Sequence, residues 1–287
     1  MAYPKITIVT PSFNQGQFLE ETIQSVIGQQ YPNLEYIIMD GGSTDNSVEI
    51  IKKYEKHLTH WVSEKDNGQA AAINTAFGLA TGDILGWLNS DDMYMPGTLQ
   101  IVASKLNPPS RELMFGNALH IYEDRPFAFS SDVRLEHEKR DLQLTDYIIQ
   151  PSSFWTKQAW EATGLLDESL TFGFDWDWYV RARIAGVTFL PEDKFLSVYR
   201  IHGAHKTGVG GDKRLNELAG IYSRHAGMEY QKLFARCLPR RQRILFTRKW
   251  IWRLRLSRFE AQLLKASFPA LFRGFKSSEV GDMITML

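Results

Sequence analysis

One cysteine, Cys237, is all the chain contains, so an intrachain disulfide is excluded and no cysteine-built zinc framework is available. Such scarcity suits a reducing compartment. No run of about eighteen apolar residues occurs, which excludes a bilayer-spanning helix. No basic-then-apolar leader precedes the first apolar run at residues 5–10, so no cleaved signal is expected. The expectation is a cytoplasmic protein, soluble or peripheral on the inner face of the plasma membrane. Internal repeats and low-complexity segments are missing as well. So is net charge, since 33 Lys and Arg cancel 33 Asp and Glu. That cancellation hides an asymmetry: residues 236–287 hold 12 basic and 3 acidic residues, leaving 21 and 30 for the rest. An acidic body therefore carries a basic tail.

What is present is a core. Hydrophobic residues make up 44% of 287 and aromatics 13%, too apolar a mixture for a disordered chain. Apolar, β-branched runs at 6–10, 35–40, 59–63 and 83–89 read as buried strands. Helix-period segments at 16–29, 47–54 and 69–80 alternate with them, and another follows near 95–106. Alternation of this kind predicts an α/β fold with a mostly parallel central sheet flanked by helices. Beyond residue 106, strands are predicted at 112–122 and 187–199, with helices near 157–163 and 175–185. From residue 212 the pattern is helical throughout, broken by Pro239 and Pro269.

In parallel sheets ligands sit beyond the carboxyl ends of the strands. Each polar cluster of the first ninety residues falls at such an end. Pro11-Ser12-Phe13-Asn14 follows the first strand, and Asp40-Gly41-Gly42-Ser43-Thr44-Asp45 the second. A tight turn and a helix cap explain part of the latter, with Asp45 or Ser47 as the cap. They do not require the carboxylate of Asp40, which could accept hydrogen bonds from a base or ribose. Asp66-Asn67-Gly68-Gln69 opens an alanine-rich helix containing Asn74, either as ordinary packing or to let a flat base approach the backbone.

Asn89-Ser90-Asp91-Asp92 carries the sharpest chemistry. Adjacent carboxylates after an apolar strand repel each other unless a cation relieves them, and hard ions such as Mg²⁺ or Mn²⁺ take one or two carboxylates plus phosphate oxygens. A helix cap would use only one of the two. Phe174-Asp175-Trp176-Asp177-Trp178 sets two carboxylates in the first turn of a helix, where the helix dipole also favours them. The flanking aromatic rings could desolvate a carboxylate toward a useful base or stack on sugars. Near residue 200, Tyr199-Arg200-Ile201-His202 ends a strand, followed by His205 and Lys206.

Together these segments resemble the inverting family 2 glycosyltransferases of GT-A fold, over residues 5 to about 207. The resemblance implies nucleotide-sugar contacts from Thr10, Pro11, Ser12, Asn14, Asp40, Gly41, Ser43, Asp66, Gly68 and Asn74. Asn89, Ser90, Asp91 and Asp92 sit where the family has its metal-binding DXD element, with Asn89 replacing a common aspartate. It further implies a divalent cofactor, Mn²⁺ or Mg²⁺, on Asp91, Asp92 and His202, with Lys206 near the phosphates. Gln150, Phe154, Trp155 and Trp176 fall on the acceptor side. Asp175 is the preferred base and Asp177 the second candidate, Phe174 standing where the family carries glutamate. The implied donor is a nucleoside-diphosphate sugar, most simply a UDP-sugar, and the acceptor a saccharide or lipid-linked saccharide in bacterial polysaccharide or glycoconjugate assembly.

Two rival readings stay open: a non-catalytic nucleotide-sugar-binding relative, and a sugar nucleotidyltransferase lacking a recognisable triphosphate loop. A processive membrane synthase is disfavoured, because the family's Gln-x-x-Arg-Trp motif is missing. The expected division is a catalytic domain at 1–210, its nucleotide-sugar half about 1–95 and its acceptor half about 96–210, followed by a basic helical extension at 211–287. Residues 240–265 interleave arginine with tryptophan and leucine, a pattern suited to an anionic membrane surface and equally to a helix packed on the acidic body or on a second subunit. No nucleic-acid motif accompanies these charges, so no nucleic acid is expected. Homo-oligomerisation is left open.

Overall fold

Seven consecutive residues of the first strand, β1 (Ile6–Ser12), are all buried, as a strand covered on both faces requires. The computed structural model describes residues 3–124, 127–203 and 210–287. After β1 come α1 (Gly16–Ile27), β2 (Leu34–Asp40), α2 (Ser47–Tyr54), β3 (His60–Ser63), α3 (Gln69–Leu79) and β4 (Ile84–Trp87). These four strands are parallel, in the order β3-β2-β1-β4. Ser12 pairs in register with Asp40, and Asp40 with Ser63, so the polar strand ends lie side by side on one rim.

The other half departs from the expected parallel sheet. It contains β5 (Met93–Tyr94), α4 (Thr98–Lys105), β6 (Glu112–Tyr122), β7 (Ala128–Ser130), α5 (Val133–Lys139), β8 (Ser153–Thr156), α6 (Lys157–Thr163), α7 (Phe174–Ile184) and β9 (Thr188–Ile201). β8 runs antiparallel to both β4 and β6, and β9 runs parallel to β6. The nine-stranded sheet is therefore mixed, continuing from β4 through β8, β6 and β9 to β5, with β7 beside β6. β5, β7 and β8 are two to four residues long and, unlike the four-residue β3 and β4, are not set in the strand–helix alternation that declared those.

β8 fits against β4 because β4 carries a glycine. A Cβ on Gly86 would stand 2.8 Å from a ring carbon of Phe154. Around this junction Trp87, Trp155, Trp160, Trp178 and Phe77 form one aromatic cluster, with ring centroids 4.7 Å apart for Trp155 and Trp178 and 5.2 Å for Trp87 and Trp155. Such pairs contribute about 0.5–1.5 kcal/mol each beyond the area they bury.

The helices that follow are α8 (Gly211–His225), α9 (Met228–Cys237), α10 (Arg241–Arg253), α11 (Glu260–Ser267) and α12 (Ser277–Thr285). Pro239 lies in the 3-10 turn Leu238–Arg240 and Pro269 just beyond α11, as helix-breaking residues should. The chain forms two compact units that do not follow one another simply along the sequence. The first takes Met1–Leu135 and Ile148–His205; the second takes Glu136–Tyr147 together with Lys206–Leu287. Within the second unit, Tyr222 donates to the Leu144 carbonyl at 2.7 Å and the Asp141 N–H to Asp282 at 3.1 Å. No helix among the described residues is long and apolar enough to cross a membrane.

Candidate active site

The rim begins with two interlocked loops. Asn14 follows β1 in a left-handed backbone conformation, φ 52°, which asparagine tolerates better than most residues. Its N–H donates to the Ser43 hydroxyl at 2.7 Å, and its side-chain oxygen accepts the Thr44 N–H at 2.8 Å. The buried Asp40 carboxylate accepts from the Ser43 N–H at 2.9 Å, the Ser43 hydroxyl at 2.5 Å and the Ser63 hydroxyl at 2.7 Å. Among the described residues these bonds use three of the roughly four lone-pair sites of a carboxylate. Gly42, with φ 81°, permits this turn.

Asp45 joins two helix starts, accepting from the Gly16 N–H at 2.9 Å and from the Ser47 N–H and hydroxyl at 3.0 and 2.6 Å. Burial raises its pKa, but the Ser47 hydroxyl and the Gly16 and Ser47 N–H groups outweigh that and hold it below the usual carboxylate value. Asp45 thus bridges the two helix starts, whose N-cap residues are Gln15 and Asn46.

Thr10 and Pro11 lie buried within the sheet, Thr10 bonded to the Tyr36 hydroxyl at 3.1 Å. The Ser12 hydroxyl, in a residue 4% exposed, has no hydrogen-bond partner among the described residues. Gly41 donates to the Ser12 carbonyl at 2.8 Å, and a Cβ there would stand 3.0 Å from the Asp66 carboxylate. Asp66 accepts the Gly68 N–H at 2.8 Å on the exposed approach to α3. Asn74 is buried on α3. Both ends of its amide are engaged by the backbone of Leu166, at 2.9 and 3.0 Å, and its nitrogen also donates to Glu168 at 2.9 Å.

The carboxylate loop after β4 is held by β5, whose pairing with Ser197 and Val198 lays it against the end of β9. There the Asp91 carboxylate meets the His202 Nε2 at 3.0 Å, across 111 residues of sequence. The His202 side chain is buried, its ring 4.6 Å from that of Phe18, while Asp91 keeps partial exposure. Asp92 differs: it is 1% exposed and accepts the Arg200 N–H at 3.0 Å. Burial pushes its carboxyl well above the usual range, and the charge of Asp91 adds to that. Asp92 thus anchors the loop to β9, and Thr22 binds the carbonyls of Ser90 and Asp92 from below at 2.9 and 2.8 Å. Arg200, whose guanidinium lies 4.6 Å from the Phe18 ring centre, pairs with Glu21 at 2.5 Å.

Among the described residues no three His, Cys, Asp or Glu side chains converge as a metal-binding group. Two do converge, Asp91 and His202, and a carboxylate with an imidazole fits a divalent ion that completes its shell from diphosphate oxygens. Lys206 lies outside the described residues.

Asn89 heads a chain of amides that the sequence did not disclose. Gln69 donates to the Asn89 oxygen at 2.8 Å, Asn89 donates to the Gln150 oxygen at 3.1 Å, and Gln150 donates to the Trp87 carbonyl at 2.9 Å. The last bond fixes the direction of the others. Asn89→Asp would set a carboxylate oxygen against the Gln150 oxygen and add charge 3.5 Å from Asp92. We expect this variant to lose about 1–3 kcal/mol in thermal denaturation, although it restores the commoner sequence; tighter Mn²⁺ binding with unchanged stability would contradict this role.

The start of α7 packs against the end of β4, the Phe174 ring standing 6.2 Å from that of Trp87. Asp175 is partly exposed and accepts its neighbour's N–H, that of Trp176, at 2.9 Å. Asp177 is fully buried and paired with Arg181 at 2.8 Å, and Arg181 also holds the carbonyls of Thr163 and Leu165 at 2.9 and 2.8 Å. Phe154, Trp155 and Trp176 are at most 1% exposed, so their rings belong to the core; Gln150 is 7% exposed and spent in the amide chain. Gln69, Thr22, Glu21 and Ser63 are the contributors that sequence reasoning missed, since each is an unremarkable polar residue until the fold brings its partner near.

The family model described as "Glycosyl transferase family 2" matches residues 7–157, just over half of the 287 residues and nearly the whole of this rim. The chain belongs to glycosyl transferase family 2. By family it is a glycosyltransferase. Over 239 residues it is 27% identical to an uncharacterized glycosyltransferase of Rickettsia typhi, covering 77% of this chain and 71% of that relative. Among solved structures, Staphylococcus aureus TarS (residues 1–349) in complex with UDP-GlcNAc is similar with a TM-score of 0.62 at 14% identity, over 98% of this chain and 90% of that one. The mannosyltransferase PcManGT of Pyrobaculum calidifontis, in complex with GDP-Man and Mn²⁺, gives 0.63 at 15% identity, over 100% of this chain and 86% of that one. At such identities the likeness is one of fold, and it makes this glycosyltransferase a GT-A protein with a helical extension.

Proposed function

We propose that this glycosyltransferase transfers its sugar in one in-line displacement that inverts the anomeric centre. Asp175 takes the proton of the acceptor hydroxyl as that oxygen attacks the anomeric carbon. The bond from that carbon to the diphosphate oxygen breaks, and the nucleoside diphosphate leaves. Asp40, Ser43, Ser12, Gly41, Asp66 and Gly68 form the floor for the nucleotide, where the unpaired Ser12 hydroxyl and the Asp40 carboxylate offer hydrogen bonds. Asp91 and His202 are the residues to hold Mn²⁺ or Mg²⁺, which when bound offsets the charge growing on the leaving group. Asp92 is assigned the anchoring of that pair to β9, and Asn74 the support of α3.

One observation carries this reading: the 3.0 Å approach of Asp91 and His202 beside the polar ends of parallel strands. TarS with UDP-GlcNAc and PcManGT with GDP-Man and Mn²⁺ show this fold serving two nucleotides. We favour UDP as the nucleotide here, and a saccharide or lipid-linked saccharide of bacterial glycoconjugate assembly as acceptor. A single buried cysteine and such a donor suit a cytoplasmic enzyme.

The test is a titration of the full chain with UDP, GDP, TDP and CMP, each with and without Mn²⁺. One diphosphate should bind tightly only with the metal, and Asp91→Ala should weaken that binding by at least ~100-fold, the upper range for losing mere outer-shell support. Equal affinity in the variant would remove Asp91 from the metal site.

A further inference from the structure

The donor site absorbs the carboxylates of the first unit but leaves the basic tail without a task. Helix α10 buries Ile244 and Ile251, two turns apart, and turns Phe246 and Trp250 outward with 63% and 45% exposure. Beyond it, every residue from 252 to 259, Trp-Arg-Leu-Arg-Leu-Ser-Arg-Phe, is exposed. Trp252 is 57% exposed and Leu254 62%. Isolated apolar residues in water are ordinary, but a continuous set of this size marks an interaction surface.

Its charge says what kind of surface. Residues 240–259 include eight Lys or Arg and no Asp or Glu. The cations share the patch with the rings: the Arg253 guanidinium is 5.3 Å from the Trp250 ring centre and that of Arg258 is 4.6 Å from Phe259. Helix α10 ends in a turn where the Leu256 N–H reaches the Ile251 carbonyl at 3.0 Å, a closure that needs a left-handed residue one step earlier. That residue is Arg255, φ 58°, where glycine or asparagine would be easier. A cation is thereby kept between Leu254 and Leu256 at a conformational cost.

We propose that residues 246–259 dock on an anionic lipid bilayer. Tryptophan, leucine and phenylalanine enter the boundary between headgroups and acyl chains, while the interleaved arginines meet lipid phosphates. A polyanion such as RNA would answer the charge and the rings but leave the leucines in water. An uncharged apolar groove would bury the arginines unpaired.

Flotation of the full chain with vesicles tests this without nucleotide or metal, so its result is separate from the donor-site reading. Vesicles of phosphatidylcholine mixed with phosphatidylglycerol should carry the protein upward, and phosphatidylcholine alone should not. Added salt should release it, because exposed charges are screened. Two surface variants, Trp252→Ser and the triple Arg253→Glu, Arg255→Glu, Arg258→Glu, should each lose flotation while keeping the wild-type melting profile. Failure of the wild type to float with anionic vesicles at low salt overturns the proposal, as does equal flotation of the folded variants. A lipid-free dimer that Trp252→Ser converts to monomer would give the surface to a second copy, and would overturn it too.

Discussion

Replacing Asp175 by asparagine should lower turnover about 10²–10⁴-fold, the usual contribution of a positioned general base, while nucleotide affinity stays near the wild-type value. Asparagine has the same shape and still offers an oxygen to the Trp176 N–H, so the first turn of α7 survives the change. What it loses is the ability to take a proton. Phe174 and Trp176 on either side of it in the chain are buried, 5% and 1% exposed, while Asp175 itself keeps partial exposure. Initial rates with saturating donor, set beside a direct measurement of UDP affinity, separate the two effects. Unchanged turnover in this variant, with Asp177→Asn inactive yet fully folded, would move the base two residues along.

Asp177→Ala should instead unfold the protein more easily, by about 3–5 kcal/mol. The carboxylate is 0% exposed and its partner Arg181 only partly so, which makes removal of one charge much more costly than breaking a surface pair. Arg181 would keep its bonds to the Thr163 and Leu165 carbonyls but lose the counter-charge that makes its burial tolerable. Urea denaturation measures the effect, and a second change, Arg181→Met, should recover part of the loss. A loss below about 1 kcal/mol would mean that water reaches the pair as it does at exposed ones.

The contrast between these two aspartates shows where reading the chain stops. Both belong to one short motif, and nothing in Phe-Asp-Trp-Asp-Trp says which carboxylate is buried on an arginine; Arg181, one turn later, settles it for Asp177. The parallel strands β1 to β4 were legible because each is an apolar run followed by a helical period, and their polar ends announced the rim. β5 was not, having only two residues, yet its pairing with β9 is what carries the Asp91 loop to His202. Likewise Phe154 and Trp155 looked like acceptor contacts in sequence and turned out to fill the junction of β4 and β8, where Gly86 makes room. Long-range partners of this kind leave no local periodic trace.

The segment Glu136–Tyr147 has a history as well as a place. Arg140, Asp141, Thr145 and Asp146 bond to Asp282, Thr285 and Met286, about 140 residues further along the chain. At ribosomal rates of 5–20 residues per second, those partners are made on the order of ten seconds later. Until then the Asp141 N–H and the Thr145 hydroxyl are without these partners, while β8 and β9 on the far side of the segment are already available to complete the sheet. Shortening the chain before α12 would accordingly strip a stretch in its middle, so the cost of a truncation at one end falls on residues synthesised long before it.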